Sequence, residues 1–147
     1  MKDQKIKNIF VEGAISPSKI AESIASHQAK TNIGAHNIFL GQVRADTINE
    51  QKVASIEFSA QQDMANKTYK EIRESVFEKF PVSCMHVYHS IGKVDVGEIC
   101  LFVFISGAHR PSVFEALPYL VDEIKSKLPI FGKEIFEDKT HQWKVNL

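Results

Sequence analysis

The sequence predicts an α+β domain with a mixed, largely antiparallel sheet and about three helices. Two observations carry that reading: strand-forming segments outnumber helical ones, and the helices interrupt them irregularly instead of alternating as in a parallel βαβ chain. A third excludes the main alternative, because no Rossmann or P-loop glycine pattern occurs anywhere in the chain. The 147 residues, 44% hydrophobic and 24% charged, suit a single domain, 1–147, with one sizeable core.

Taken in order, Ile9 to Ala14 reads as a short strand. Ser16 followed by Pro17 is an N-cap and first-turn signature for a helix through about His27. Ile33 to Val43 reads as a second strand running into Gly41. Val53 to Ser59 alternates apolar and polar residues, the period of a half-buried strand. From about Gln62 to Lys79, Ala65, Tyr69, Ile72, Val76 and Phe80 recur at helical spacing, and Pro81 ends the helix. Val82 to Ile91 and Ile99 to Ile105 are two more strands across a Gly92 to Gly97 turn, and the second is apolar on both faces and so central. Pro111 opens a helix with an apolar stripe of Phe114, Leu117, Leu120/Val121, Ile124 and Leu128. Pro118 within it removes one backbone bond and should kink or delay it. A last strand, about Ile130 to Phe136, leads to Trp143. Met1 to Lys5 is the segment expected to be loose.

Composition excludes several function classes. No run approaches the roughly 18 to 20 apolar residues of a membrane span, and Met1 to Lys7 is too polar to begin a signal peptide, so a cytoplasmic protein without membrane contact is expected. Eighteen basic residues balance eighteen acidic ones and are scattered, which leaves no field for nucleic acid. Cys84 and Cys100 stand alone, without a CxxC spacing or a set of His partners, so they read as small buried hydrophobes, and no metal site is expected. His86 and His89, three apart on a strand, face opposite sides.

Four places could carry chemistry. In Gly41-Gln42-Val43-Arg44 a strand ends on a glycine and presents a guanidinium suited to phosphate or carboxylate, although a solvated strand-end arginine would look the same. Ser106 to Pro111 joins the most apolar strand to a helix N-terminus, where free backbone N–H groups lie beside His109 and Arg110; the plain alternative is a capping histidine and a solvated arginine. Lys125 falls at the margin of its helix's apolar stripe. Partial desolvation, with crowding by Arg44 or Arg110, would lower its pKa and free a neutral amine, whereas an ordinary marginal lysine snorkels. The fourth place is Pro129 to Glu134, a turn into a strand that carries Lys133.

In order and at their separations, Phe39 to Arg44, Glu57 to Met64, His89 to Gly92, Ala108-His109-Arg110 with Phe114-Glu115-Ala116, Asp122 to Lys125, Pro129 to Glu134 and Trp143 resemble the large-subunit MoaE family of molybdopterin synthases. The resemblance spans roughly Ile33 to Trp143. It implies a hammerhead-like α+β fold and a sulfurtransferase subunit that converts cyclic pyranopterin monophosphate to molybdopterin. The sulfur donor it implies is the C-terminal Gly-Gly thiocarboxylate of a small ubiquitin-like carrier, docked on a homodimer to give a heterotetramer, with no cofactor. Lys125 falls on the family's essential lysine, and Lys133 is the second catalytic candidate. Phe39, Gln42, Val43, Arg44, His109, Arg110, Gly132, Lys133 and Glu134 are implied to surround the substrate, with contributions from both protomers.

The chain departs from the family pattern at Gly132, where relatives commonly carry the first of two successive basic residues. Lys133 would then need a local bulge to reach the pocket. Ser90 likewise stands where an arginine is frequent. Gly132 opens a second reading, a carrier-docking subunit that has lost catalysis, and a third of a different class is a non-enzymatic dimer binding a phosphate ligand through Arg44, His109 and Arg110.

Overall fold

The computed structural model describes residues 6–145, so the expectation of a loose Met1 to Lys5 lies outside the described residues. Along the chain run β1 (Phe10–Glu12), α1 (Pro17–His27), β2 (Ala35–Gln42), β3 (Thr47–Ile48), β4 (Gln51–Ala60), α2 (Gln62–Lys79), β5 (Cys84–Asp95), β6 (Ile99–Gly107), α3 (Arg110–Lys127), β7 (Ile130–Phe136) and β8 (His141–Trp143). The eight strands form one sheet in the order β2-β6-β5-β4-β7-β8, with β1 parallel to β5 and β3 beside β4; the other pairings are antiparallel.

The helices begin where their caps say they should. The Ser16 hydroxyl accepts from the Lys19 amide at 3.2 Å and Pro17 occupies the first turn of α1. In α2 the residues at helical spacing, Ala65, Tyr69, Ile72 and Val76, are buried. In α3 the buried stripe is Val113, Ala116, Leu117, Leu120 and Ile124, which corrects the sequence reading at Phe114: that ring is 60% exposed. Pro118 also faces solvent, and α3 is continuous through it. The bond it removes is the one to the Phe114 carbonyl, on the wet side of the helix, where water can replace the missing donor.

Both sheet faces are covered. Helices α2 and α3 bury one core with Met85, Val87, Leu101, Val103 and Ile105, while α1 covers Phe102 and Phe104 on the other face. Strand β6, buried from Leu101 to Gly107, is central as its composition predicts.

Two short strands escaped the sequence reading. The β3–β4 hairpin turns on Asn49 and Glu50, both left-handed at φ 49° and 67°, so no glycine announces it. The β8 strand is three residues long and, among the described residues, pairs only with β7.

Three irregularities position the site. In β4 the register with β7 slips at Ala54, which shifts the buried phase from Val53 and Ser55 to Ile56 and Phe58. Strand β5 changes partners along its length: Cys84 to His89 pair with β6, and Gly92 to Asp95 pair with β4. Gly92 marks the change at φ 84°, and a side chain there would collide with the Glu12 carboxylate. In β6 the register with β2 passes from Leu101 to Ile99, leaving Cys100 as the bulged residue.

Candidate active site

The junction between the two halves of the sheet opens into a pocket against the end of α3. Its wall comes from Phe58 of β4, His89 of β5, Cys100 and Leu101 of β6, and Gly132 of β7, with Lys125 entering from α3 and Lys144 from just beyond β8. Consecutive residues of a regular strand face opposite sides, so Cys100 and Leu101 both reach the pocket because of the bulge at Cys100. The Cys100 thiol in turn donates to the Gly41 carbonyl at 3.5 Å, which ties the strand bearing Arg44 to this wall.

Electrostatically the pocket holds cations among neutral groups. Lys125 is exposed as a whole residue, yet partial burial of its ammonium in the pocket lowers its pKa. Lys144 lowers it further, against a smaller opposing effect of Cys100. The crowding cation expected from the sequence was Arg44 or Arg110; the structure supplies Lys144 instead. Burial pushes the Cys100 thiol up, so it stays protonated at neutral pH. His89 is 6% exposed and its pKa falls to about 4, chiefly by burial, with Lys125 and Lys144 adding to the effect against the opposing hydrogen bond to Ser90. Among the described residues neither lysine of the pocket has a carboxylate partner within ion-pair distance.

The other sequence candidates divide by place. Gly132 lines the pocket. Glu134, on the same face of β7, is buried and accepts from the Gln142 amide at 3.3 Å. Lys133 points the other way: the ladder with β4 is regular from Glu57–Lys133 through Phe58–Gly132, so the bulge that would have re-aimed it is absent there. Arg44 is exposed and held by Asp46 through two bonds, Nε–Oδ1 at 2.6 Å and Nη2–Oδ2 at 3.1 Å, which raise its pKa; Glu134 adds a smaller favourable charge. The Lys144 charge also acts weakly on Asp46. Val43 is not a surface contact: its side chain packs with Ile56, Phe58 and Val94, and its backbone is bonded to Gly97 and Glu98. Phe39 packs against the α2–α3 core instead of lining this pocket, and Gln42 is exposed at the end of β2.

His109 and Arg110 line a separate open groove with Gly34 and Ala108 at the start of α3. His109 is the N-cap residue but makes no capping bond through its side chain, so its imidazole is left for other contacts. Fifteen residues of helix, at about 1.5 Å each, separate Arg110 from Lys125, so within one chain they stand about 22 Å apart. Within one chain the two basic clusters are therefore separate.

Sequence reasoning passed over His89 and Lys144. His89 was set aside as a strand histidine, and nothing at Lys144 marks it as converging on Lys125 from 19 residues away in the chain. It also missed that Cys84 has histidine neighbours in space. His27, Cys84 and His86 place one donor atom each within 4.8 Å of one another. The Lys30 ammonium is 3.0 Å from the Cys84 sulfur and the Lys7 ammonium 3.4 Å from His86, so cations already crowd these donors and oppose a metal ion.

Fold and pocket together define a small α+β domain with a partly desolvated lysine in a cationic pocket and a second basic groove at the opposite end of the same helix. Comparison with known proteins identifies the family. The family model described as MoaE protein matches residues 11–127, and the chain belongs to the MoaE family, whose members act in molybdenum cofactor biosynthesis. It is 37% identical over 145 residues to the molybdopterin synthase catalytic subunit of Rattus norvegicus, covering 97% of this chain and 70% of the relative. It is 34% identical over 119 residues to that of Pyrococcus abyssi, covering 81% and 79%. The crystal structure of molybdopterin synthase from Staphylococcus aureus superposes with a TM-score of 0.82 at 28% identity, over 95% of this chain and 97% of that one. A complex of subunits 1 and 2 of molybdopterin-converting factor from Helicobacter pylori shares the fold, with a TM-score of 0.78 at 16% identity over 91% and 87%.

Proposed function

We propose that this chain is the catalytic large subunit of a molybdopterin synthase, moving sulfur from the thiocarboxylated C-terminus of a small ubiquitin-like carrier onto cyclic pyranopterin monophosphate in the cytoplasm. The observation that carries this reading is Lys125: an amine with a lowered pKa, in a pocket with no carboxylate to neutralise it. Such a lysine holds an anion when charged and moves a proton when neutral, the two tasks that thiocarboxylate cleavage requires. In each transfer sulfur bonds to a pterin side-chain carbon as a carbon–oxygen bond there breaks and that oxygen departs, and water cleaves the carrier's acyl carbon–sulfur bond, leaving the carrier as a carboxylate. Two transfers complete the dithiolene.

His109 and Arg110, too far from the Lys125 of their own chain, serve the Lys125 pocket of a second protomer, and Arg44 completes the phosphate cradle. Exposed Leu40, Phe114, Phe131 and Trp143 offer apolar surface for a second copy and for the carrier. Purified protein with thiocarboxylated carrier and cyclic pyranopterin monophosphate should form molybdopterin, and Lys125→Ala should not. Complex formation without product from the wild type would make the chain a docking subunit, and failure to bind the carrier would remove the reading altogether.

A further inference from the structure

At Gly132 strand β7 contributes only backbone to the Lys125 pocket. A Cβ added at 132 would stand 3.2 Å from Ile56 Cγ2, 3.4 Å from Phe58 Cε1 and 3.6 Å from the Lys144 Cβ. The space a side chain at 132 would enter is therefore bordered by Lys144. Backbone pairing fixes Lys144 there: its amide donates to the Gly132 carbonyl at 2.7 Å, one step past the Lys133–Trp143 pair. Lys133 and Trp143 share the face away from the pocket, so the next residue turns back toward it.

Resting on the function proposed above, we propose that Lys144 is the second cation of this pocket, standing in for the side chain absent at Gly132 and holding an oxyanion beside Lys125. Charge balance in the pocket supports this. His89 is a buried neutral imidazole, Cys100 is a half-buried thiol, and no residue lining the pocket bears negative charge. The acid that Lys144 does influence, Asp46, already gives both oxygens to Arg44. Two ammonium groups converging without a carboxylate are complemented by an incoming anion. That oxyanion is either the substrate's phosphate or the carboxylate at the end of the carrier tail.

The test compares wild type with Lys144→Ala, Lys144→Arg and the double variant Gly132→Lys/Lys144→Ala, which moves the ammonium from 144 to 132. Alanine keeps the Cβ at 144, which at 3.6 Å is in ordinary contact, so only Ile56 and Phe58 need give, by a few tenths of an ångström. Lys144→Ala should lower kcat/KM by about 10- to 100-fold, the size of one charge-assisted contact. Lys144→Arg and the double variant should each recover most of it. A rise in KM for the pterin phosphate assigns the contact to phosphate. Weaker binding of the carrier with a plain carboxylate terminus assigns it to the tail. A Lys144→Ala enzyme within about twofold of wild type overturns the proposal, as does a loss that neither Lys144→Arg nor the relocated lysine restores, because that pattern belongs to a structural role.

If the wild type makes no product, the functional reading fails. Titration with inorganic pyrophosphate, followed through the amide resonances of Gly132 and Lys125, then decides on Lys144 alone. Weaker binding in Lys144→Ala that the double variant restores sustains it, and unchanged binding refutes it.

Discussion

His89 Nδ1 lies 2.8 Å from the carbonyl oxygen of Ser90. A carbonyl only accepts, so the ring proton resides on Nδ1 and Nε2 keeps its lone pair in a wall of the Lys125 pocket. A buried histidine fixed in its neutral form supplies an acceptor next to two lysines without cancelling their charge. Replacement by Gln keeps polar groups at the site and replacement by Phe does not. His89→Phe is expected to lose more turnover than His89→Gln at matched stability, measured as kcat on variants checked by thermal denaturation.

The same histidine makes stability depend on acid. Its folded pKa, about 4, lies below the ordinary value near 6.5, so the unfolded chain binds the proton first. Above about pH 6.5 both states are neutral and His89 exerts no effect. As pH falls from there toward 4, stability drops, by up to about 3 kcal/mol for a shift of this size. His86, also lowered to about 4, adds in the same direction. Urea unfolding at a series of pH values should show this slope, and His89→Gln should flatten it.

Activity should rise with pH through the lowered pKa of Lys125 if the neutral amine is the working form, and Lys144→Ala, by removing a repelling charge, should move that rise to higher pH. Lys125→Arg should not substitute for lysine, because a guanidinium does not give up its proton in this range. The loss on Lys125→Ala is expected to be about 10²- to 10⁴-fold, read from single-turnover product formation.

Lys125 and Arg110 lie at opposite ends of α3, which gives a complementation test. Lys125→Ala and Arg110→Ala proteins, each inactive alone, should regain about a quarter of wild-type activity after mixing and subunit exchange, since half of the dimers then carry one intact composite site. Absence of recovery would mean that each site is built within one chain.

Gly34 sits against the carbonyl of Ala108, and an added Cβ would overlap that oxygen. Gly34→Ala should destabilise the fold by about 1–3 kcal/mol and displace the His109–Arg110 turn, detected as a lower urea midpoint and weaker phosphate binding.

Much of the architecture was legible before any coordinates. Apolar periodicity located α2 and β7 with the bounds the structure has, Ser16-Pro17 placed the start of α1, and the unbroken apolar run of β6 marked the central strand. These features follow from local chemistry, because a face that must be buried imposes its period on the sequence. The order of motifs also sufficed to reach the family. What only the tertiary structure decided was which residues meet. Phe114 fits the helical period yet faces water, because Val113 and Ala116 present the face that meets the sheet. Lys133 is adjacent to Gly132 in sequence but lies on the opposite face of a regular strand, while Lys144, twelve residues further on, is returned to Gly132 by a single backbone pairing. The bulge at Cys100 has no signature in sequence, and Gly92 reads there as the start of a turn although β5 runs on through it to a new partner, since both features arise from the register between strands, and register is set by all the strands packing at once.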